Sequence, residues 1–430
     1  MSVGADGRRV PLRGAVADDF TGATDLAGSW RARGLRTAVV LGVPDETVAA
    51  GLDEQDAVVV ALRTRSAPVD EAVAASRAAA EVLVGLGVEQ VYDKYCSTFD
   101  SSPEGNIGPV ADALLEVTGA PGAVVVPAFP AAGRTVYQGH LFVHDQLLHD
   151  SPMRDHPLNP MWDSRLAVLL GAQTAHAVAC VPLGDVRAGA EHLRRELDRR
   201  RDAGARYLVV DSLTDDDLAV VARATASDRL VTGGSGLALG TPPTGRRLPP
   251  VVGPPGRRAV LAGSASAATR RQVAAARGRL ASRGLDVAAL ADGPDAVDAV
   301  VDDLVAWARA EWAERPEQPV LVFSVADASD VRRGREASPD ASALVEACLG
   351  RLAPALVDAG ASQLVVAGGE TSGAVLHSLG VRRLEIGQPL GPGLSWSAGT
   401  TPDGRPLALV LKSGNFGADD LFTAAWQELG

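Results

Sequence analysis

The chain has 430 residues, 46% of them apolar and 22% charged, with a formal net charge of -12 and a pI near 5.1. That length exceeds one ordinary core and, at about 150 residues per domain, points to two large domains. The composition excludes a disordered chain, and the acidity excludes a nucleic-acid or anionic-membrane partner, because both need a basic field.

The opening MSVGADGRRVPLRG is basic but is followed by only a short apolar stretch and then by two aspartates, so it lacks the apolar region of a signal peptide. No apolar run approaches the ~20 residues of a membrane span. Cys96, Cys180 and Cys348 are odd in number and widely spaced, which fits a reduced, cytoplasmic chain without a disulfide framework or zinc-knuckle spacing.

In chain order, GAVADD reads as the first strand and TGATDLAGSWRARG as the helix after it, with Thr21 as N-cap and Gly34 as a C-cap signal. Asp18 and Asp19 then stand where the strand ends, with Asp25 further along the helix. In open parallel sheets that carboxyl edge is where ligands bind. A capping cluster at a helix N-terminus, worth ~0.3–1 kcal/mol, is the alternative. One carboxylate suffices for capping, so three favour chemistry.

RTAVVLG, AVVVALR, VEQVYDK and AVVVPAF read as buried strands, and PVDEAVAASRAAAEVLVGLG and GPVADALLEVTG as helices between them. Alternation of this kind builds a doubly wound α/β sheet. The turn in KYCSTFDSSPEGNIGPVADAL gathers Lys94, Ser97, Thr98, Ser101, Ser102 and Asn106 before a helix start, a composition suited to an anionic, polyhydroxylated molecule or to plain turn chemistry. After AVVVPAF, Arg134 can fork onto a carboxylate or face solvent. His140, His144, His149 and His156 lack the spacing of a zinc motif and read as loop or core histidines, so no protein metal site is expected.

The alternation breaks at TGGSGLALGTPPTGRRLPPVVGPPGRR, which places the domain boundary at 241–257 and gives domains 1–245 and 246–430. It then restarts with RRAVLAGS, a helix from Ala267 to Gly278, PVLVFSV, the helix through SALVEACLGRLAPALVDAG, SQLVVAGG and a further helix. Four Gly-containing turns of this half, in AVLAGSASAATRRQ, QLVVAGGETSGAVLHSLG, IGQPLGPGLSW and LVLKSGNFGADDLF, offer backbone N–H groups to a polyphosphate. The P-loop, dinucleotide and nucleophile-elbow fingerprints are absent from the sequence. A polar site in one half and a phosphate-binding half beside it suit phosphoryl transfer, with Mg²⁺ brought by the nucleotide and a carboxylate as base.

The segments ADDFTGATDLAG, KYCSTFDSSPEGNIGPVADAL, VPAFPAAGRTVYQGHLFV, MRDHPLNPMWDSRL, AGSAS, AGGETSGAVLHSLG, GPGLSW and LKSGNFGADDLF, in that order, resemble the four-carbon acid sugar kinase family from about residue 15 to the C-terminus. The resemblance implies two α/β domains flanking an active-site cleft, an acid-sugar domain followed by a nucleotide domain, and ATP-dependent phosphorylation of a terminal hydroxyl. KYCSTFD and HPLNPMWDS are more similar to the 3-oxo-tetronate group than to the threonate or erythronate kinases. It further implies Asp18 and Asp19 at the substrate edge, a Lys-containing loop of Lys94, Ser97 and Thr98, and nucleotide-binding turns at Ser264, Gly368, Gly369, Glu370, Thr371, Gly414 and Gly417. The expected catalytic pair is Asp18 and Asp19, with Lys94 and Arg134 holding the substrate carboxylate; Asp25, Arg63 and Asn106 complete the expected substrate set, and Ser266, Gly391, Gly393, Lys412 and Asn415 the expected nucleotide set. Glu104 departs from the pattern, since many relatives carry Arg there. A sheet edge or the 150–165 loop would supply a homodimer contact. Two competing readings remain: a non-catalytic sugar-acid sensor, which nucleotide binding would exclude, and a dehydrogenase, which lacks its fingerprint.

Overall fold

Valine- and alanine-rich runs set the frame of the N-terminal half, because strands buried on both faces read as continuous apolar stretches. The computed structural model describes residues 13–52, 54–155, 159–293 and 295–429; the N-terminal basic segment through residue 12 and His156 lie outside them. The chain forms two compact units, one running to Leu248 and the other from Pro249.

In the first unit the strands are β1 (Arg13–Ala17), β2 (Thr37–Leu41), β3 (Ala57–Ala61), β4 (Gln90–Lys94), β5 (Ala123–Val126), β6 (Arg134–Tyr137), β7 (His140–Val143), β8 (Gln146–Leu147), β9 (Val178–Val181), β10 (Tyr207–Val210) and β11 (Leu230–Gly233). Eight of them make a parallel sheet in the order β2-β3-β1-β4-β11-β5-β10-β9. From β1 the chain winds toward β2, and from β4 it winds the other way toward β5. The crevice between β1 and β4 is therefore a topological switch point, where such sheets bind ligands. The register pairs Ala17 with Ala61 on one side and with Lys94 on the other, so Asp18 emerges between the ends of β3 and β4.

The segment after β5 that carries Arg134 is a three-stranded antiparallel sheet, β6-β7-β8. It is fastened to the main sheet by Asp211, whose carboxylate accepts the Gln138 and Gly139 amides at 2.7 and 2.9 Å.

The second unit contains β12 (Arg257–Ala262), β13 (Ala281–Gly284), β14 (Val320–Phe323), β15 (Ala361–Ala367), β16 (Arg383–Gly391), β17 (Leu394–Thr400) and β18 (Pro406–Lys412). Their order is β13-β14-β12-β15-β18-β17-β16, parallel as far as β18 and antiparallel beyond it. The α/β expectation holds here with one correction: IGQPLGPGLSW is the β16–β17 hairpin, not a strand-to-helix turn, and Gly391 and Gly393 supply its positive φ angles of 154° and 72°. Trp396, Phe422 and Trp426 anchor the core behind this hairpin. The indole N–H of Trp396 donates to the Ala425 carbonyl at 3.0 Å, so its burial leaves no donor unpaired.

Candidate active site

Two clusters form, one in each unit, and both lie at the carboxyl edges of parallel strands. In the first unit Asp18 follows β1, its N–H donating to the Lys94 carbonyl at 3.0 Å. The Asp18 carbonyl accepts the amides of Thr64 and Arg65, which bends the chain after β3 back over β1. That bend delivers Arg65, whose guanidinium forks onto Asp18 with two 2.8 Å bonds and reaches Asp19 at 2.9 Å. Arg65 was missed by the sequence reading, which chose Arg63; the structure leaves Arg63 exposed. Alternation past the strand end was the available signal, since residues 63 and 65 could both follow the edge.

Asp19, not Thr21, caps the helix Phe20–Ala32, because the carboxylate sits one residue before the first turn and accepts the Gly22 amide at 2.7 Å. Thr21 lies inside the helix and donates its hydroxyl to Asp19 at 3.0 Å. Burial would raise the Asp19 pKa, but Arg65, Lys94 and these two hydrogen bonds outweigh it and hold the carboxyl below its ordinary value. A Cβ at Gly22 would lie 2.9 Å from the Lys94 ammonium and would overlap Asp19, so glycine is what lets the lysine approach the cap.

Lys94 is buried at the end of β4 and donates to the Tyr95 carbonyl at 2.8 Å. Its electrostatic partners are Asp19, Asp25 and Asp93, and Arg134 also acts on Asp25. Asp25 differs from the acid pair in one respect: its Oδ1 is buried and accepts no hydrogen bond among the described residues. Burial raises its pKa, Asp19 adds to the rise, and Lys94, Ser235 and Arg134 oppose it. Ser235, from the turn after β11, is a second neighbour the sequence reading missed. Arg134 leans on the Ala132 carbonyl, and its Nε is buried without a partner among the described residues.

The remaining first-unit candidates shape the loop. Ser97 packs against Gly234, and Thr98 pairs with the Cys96 thiol at 2.8 Å. Burial pushes that thiol up to about 11, so it is an inert group. Phe99, next in the chain, holds a left-handed φ of 52° and stacks edge-to-face on Tyr95, local strain of the kind found at ligand sites. Asn106 donates to the Thr64 and Ala67 carbonyls at 2.6 and 2.9 Å and so tethers the loop that carries Arg65. Glu104 is exposed. Behind the acid pair, Asp18, Arg65, Asp93, Asp100 and Asn106 line a 20 Å³ cavity with room for about one water. Burial, with Asp18 adding to it, pushes the Asp93 carboxyl well above its ordinary range. Among the described residues no three His, Cys, Asp or Glu side chains are grouped to hold a metal ion.

In the second unit three turns converge. After β12, the Gly263 and Ser264 amides donate to the Ala367 carbonyl, and Ser266 caps the helix Ala267–Arg277 through the Thr269 amide at 3.2 Å. After β15, Gly368 opens the helix Gly369–Ser378 while its amide bonds the Lys412 carbonyl at 2.8 Å. After β18, the Gly414 carbonyl accepts the Ser266 and Thr269 hydroxyls. Lys412 is wholly buried, its ammonium donating to Thr269 Oγ1, the Ser413 carbonyl and the Gly414 carbonyl at 2.8, 3.1 and 2.8 Å. Burial pushes it down to about 7. Its donors are spent inside the protein, so it braces the turns instead of reaching outward. Gln272, also missed from sequence, donates to the Phe416, Gly417 and Ala418 carbonyls and fixes the loop holding Gly417. Glu370 and Asn415 are exposed on these turns, Thr371 is buried between them, and Gly391 and Gly393 belong to the hairpin.

Gly368 combines a positive φ with a close approach to its neighbours. Its φ is 132°, and a Cβ would stand 2.7 Å from Thr371 Oγ1 and 3.3 Å from the Ser264 amide. Gly368→Ala should cost about 1–3 kcal/mol through backbone strain, since the new Cβ would also press on Thr371 and the Ser264 turn. Melting curves check the loss, and an unchanged melting temperature would contradict it.

Residues 13–241 match the sugar-binding N-terminal domain family and residues 259–422 the nucleotide-binding C-terminal domain family. A protein of Burkholderia multivorans named 3-oxo-tetronate kinase is 46% identical, over 97% of each chain. One of the same name from Salmonella typhimurium is 40% identical, over 96% of this chain and 98% of that one. Among solved structures, a Salmonella typhimurium LT2 protein provisionally named a tRNA synthase is 39% identical with a TM-score of 0.87, covering 97% of this chain and 99% of the other. A Haemophilus influenzae protein is 35% identical with a TM-score of 0.79, covering 96% and 99%. The chain belongs to the four-carbon acid sugar kinase family.

Proposed function

We propose that the protein is an ATP-dependent kinase that phosphorylates the C4 hydroxyl of 3-oxo-tetronate, giving 3-oxo-tetronate 4-phosphate in cytoplasmic sugar-acid catabolism. The observation that carries the reading is Asp25, a buried carboxyl with one unused oxygen, set among the cations Lys94 and Arg134 at the switch-point crevice. A carboxylate with a raised pKa is suited to accept a proton, and neighbouring cations are suited to hold a substrate carboxylate.

This assigns the base to Asp25 and not to the Asp18/Asp19 pair. Asp18 is forked by Arg65, and Asp19 is occupied by Arg65, Thr21 and the Gly22 amide. The pair instead fixes the edge on which the substrate lies. In the second unit the N-terminus of the helix Gly369–Ser378 is suited to phosphate oxygens, with the turns at Ser264 and Gly414 beside it braced by Lys412 and Gln272. The acid pair is already held by Arg65, Thr21 and the Gly22 amide, and in this reading Mg²⁺ enters as part of MgATP, where it neutralises phosphate charge. Positioning the bound reactants can supply several of the ~7–11 kcal/mol credited to orientation.

An ADP-release assay with MgATP against 3-oxo-tetronate, D-threonate, L-threonate, D-erythronate and a pentonate tests the reading. The 3-oxo acid should show the highest kcat/KM. Preference for a reduced acid would overturn the substrate, and no turnover with any acid would overturn the acceptor class.

A further inference from the structure

Resting on the nucleotide reading above, we propose that the nucleoside half of ATP occupies a 780 Å³ cavity of the second unit, beside the phosphate-binding turns. The cavity lies at the carboxyl ends of β13 and β14, where the Leu285 amide bonds the Phe323 carbonyl at 2.8 Å. Its volume is in the range of about 300–1,000 Å³ typical of small-molecule sites. It is joined to the first turn by Ser324, whose amide donates to the Ala262 carbonyl at 2.9 Å and whose hydroxyl donates to the Gly263 carbonyl at 3.0 Å. A ligand spanning that residue would rest one end on the turns and the other in the cavity.

Charge assigns the two ends. Four carboxylates line the cavity, those of Asp286, Asp327, Asp330 and Glu336, against the two guanidiniums of Arg277 and Arg333. A polyphosphate is repelled there, whereas an uncharged nucleoside can donate its ribose hydroxyls to carboxylates. The turns offer the opposite character, backbone N–H groups with Ser264 and Thr371 beside them. Phe323 forms a flat apolar wall backed by Arg277, whose guanidinium carbon is 5.3 Å from the ring centroid. A Cβ at Gly284 would come within 3.2 Å of that ring, so the glycine keeps the wall in place. Planar bases stack on such surfaces.

Two alanines on the cavity wall, Ala288 and Ala337, are exposed, so the fold tolerates larger side chains there. In the full-length protein, affinities for MgATP and for magnesium tripolyphosphate, which lacks the nucleoside, are measured by calorimetry for wild type, Ala288→Trp and Ala337→Trp. The expected result is at least a tenfold loss of ATP affinity in both variants, toward the tripolyphosphate value, with tripolyphosphate binding unchanged. Unaltered ATP affinity in two folded variants would overturn the cavity assignment while leaving the kinase reading in place. Failure of wild type to bind either ligand would instead overturn the nucleotide reading on which the assignment rests.

Discussion

Asp25→Asn is expected to lower kcat by about 10²–10⁴-fold, the contribution of a positioned general base, while leaving the folded protein at least as stable near neutral pH. The second half follows from the sign of the shift. The folded pKa of Asp25 is raised, so the native state holds this proton more tightly than the unfolded chain does. Stability from this group therefore declines as pH rises from the unfolded carboxylate range through the folded value, and at neutral pH the buried charge is a net cost. Asparagine removes that cost and keeps the volume. The variant's gain in melting temperature should shrink as pH is lowered and the wild-type carboxyl takes up its proton. Asp19→Asn should behave oppositely in stability: its folded pKa is lowered, so the stabilisation it gives is present above the unfolded pKa and lost as pH falls through the folded one. In wild type the acid limb of kcat/KM should lie above the ordinary carboxylate range. Near-normal turnover in Asp25→Asn would return the base to the Asp18/Asp19 pair.

A residue whose removal stabilises the fold but stops the reaction is held there for function. Lys412 illustrates the other case. Its three acceptors match the three protons of an ammonium, so the cost of burial is offset by bonds that brace the turns at Thr269 and Gly414. Its role is to position those turns.

How much of this was legible follows from where each signal lies. Strands such as AVVVALR and SQLVVAGG were readable because burial on both faces demands unbroken apolar runs, and β3 and β15 appear where expected. The placement of Asp18, Asp19, Lys94, Ser264 and Gly368 at strand ends was readable because each stands at or just past the end of such a run. The antiparallel pair β16–β17 was hidden by its own turn, since Gly391 and Gly393 look alike in a hairpin and in a phosphate-binding loop. Arg65, Ser235 and Gln272 were hidden for a different reason. Each acts across a large sequence separation, 47 residues from Arg65 to Asp18 and 144 from Gln272 to Phe416, and local periodicity does not encode such pairs. The N-cap was misplaced by two residues because Thr21 has the right side chain, yet Asp19 has the extended backbone at φ -149° that a cap requires.

Arg65→Ala should be the most destabilising single change at the first-unit site, by about 2–4 kcal/mol. The guanidinium is the cation that bridges Asp18 and Asp19, and removing it leaves two neighbouring carboxylates beside a cavity that Asp93 and Asp100 also line. Removing one partner of a fully buried pair costs about 3–5 kcal/mol. Here Arg65, Asp18 and Asp19 are 26%, 19% and 25% exposed, and solvent screening reduces the figure. Arg65→Lys should recover only part of the loss, because an ammonium cannot make the two-pronged contact with Asp18. Without Arg65, the largest of the attractions lowering the Asp19 pKa is gone, so the deficit should diminish as pH falls and protonation relieves the repulsion. The chain has two units, so a single global melt would blur the effect. Native-state hydrogen exchange resolves it: the β1 and β4 amides around Val16 and Asp93 should lose protection by the stated amount while those of β12 and β15 keep theirs. A loss below about 0.5 kcal/mol at β1 would reduce Arg65 to an ordinary surface ion pair, and with it the claim that the acid pair is a fixed platform beside Asp25.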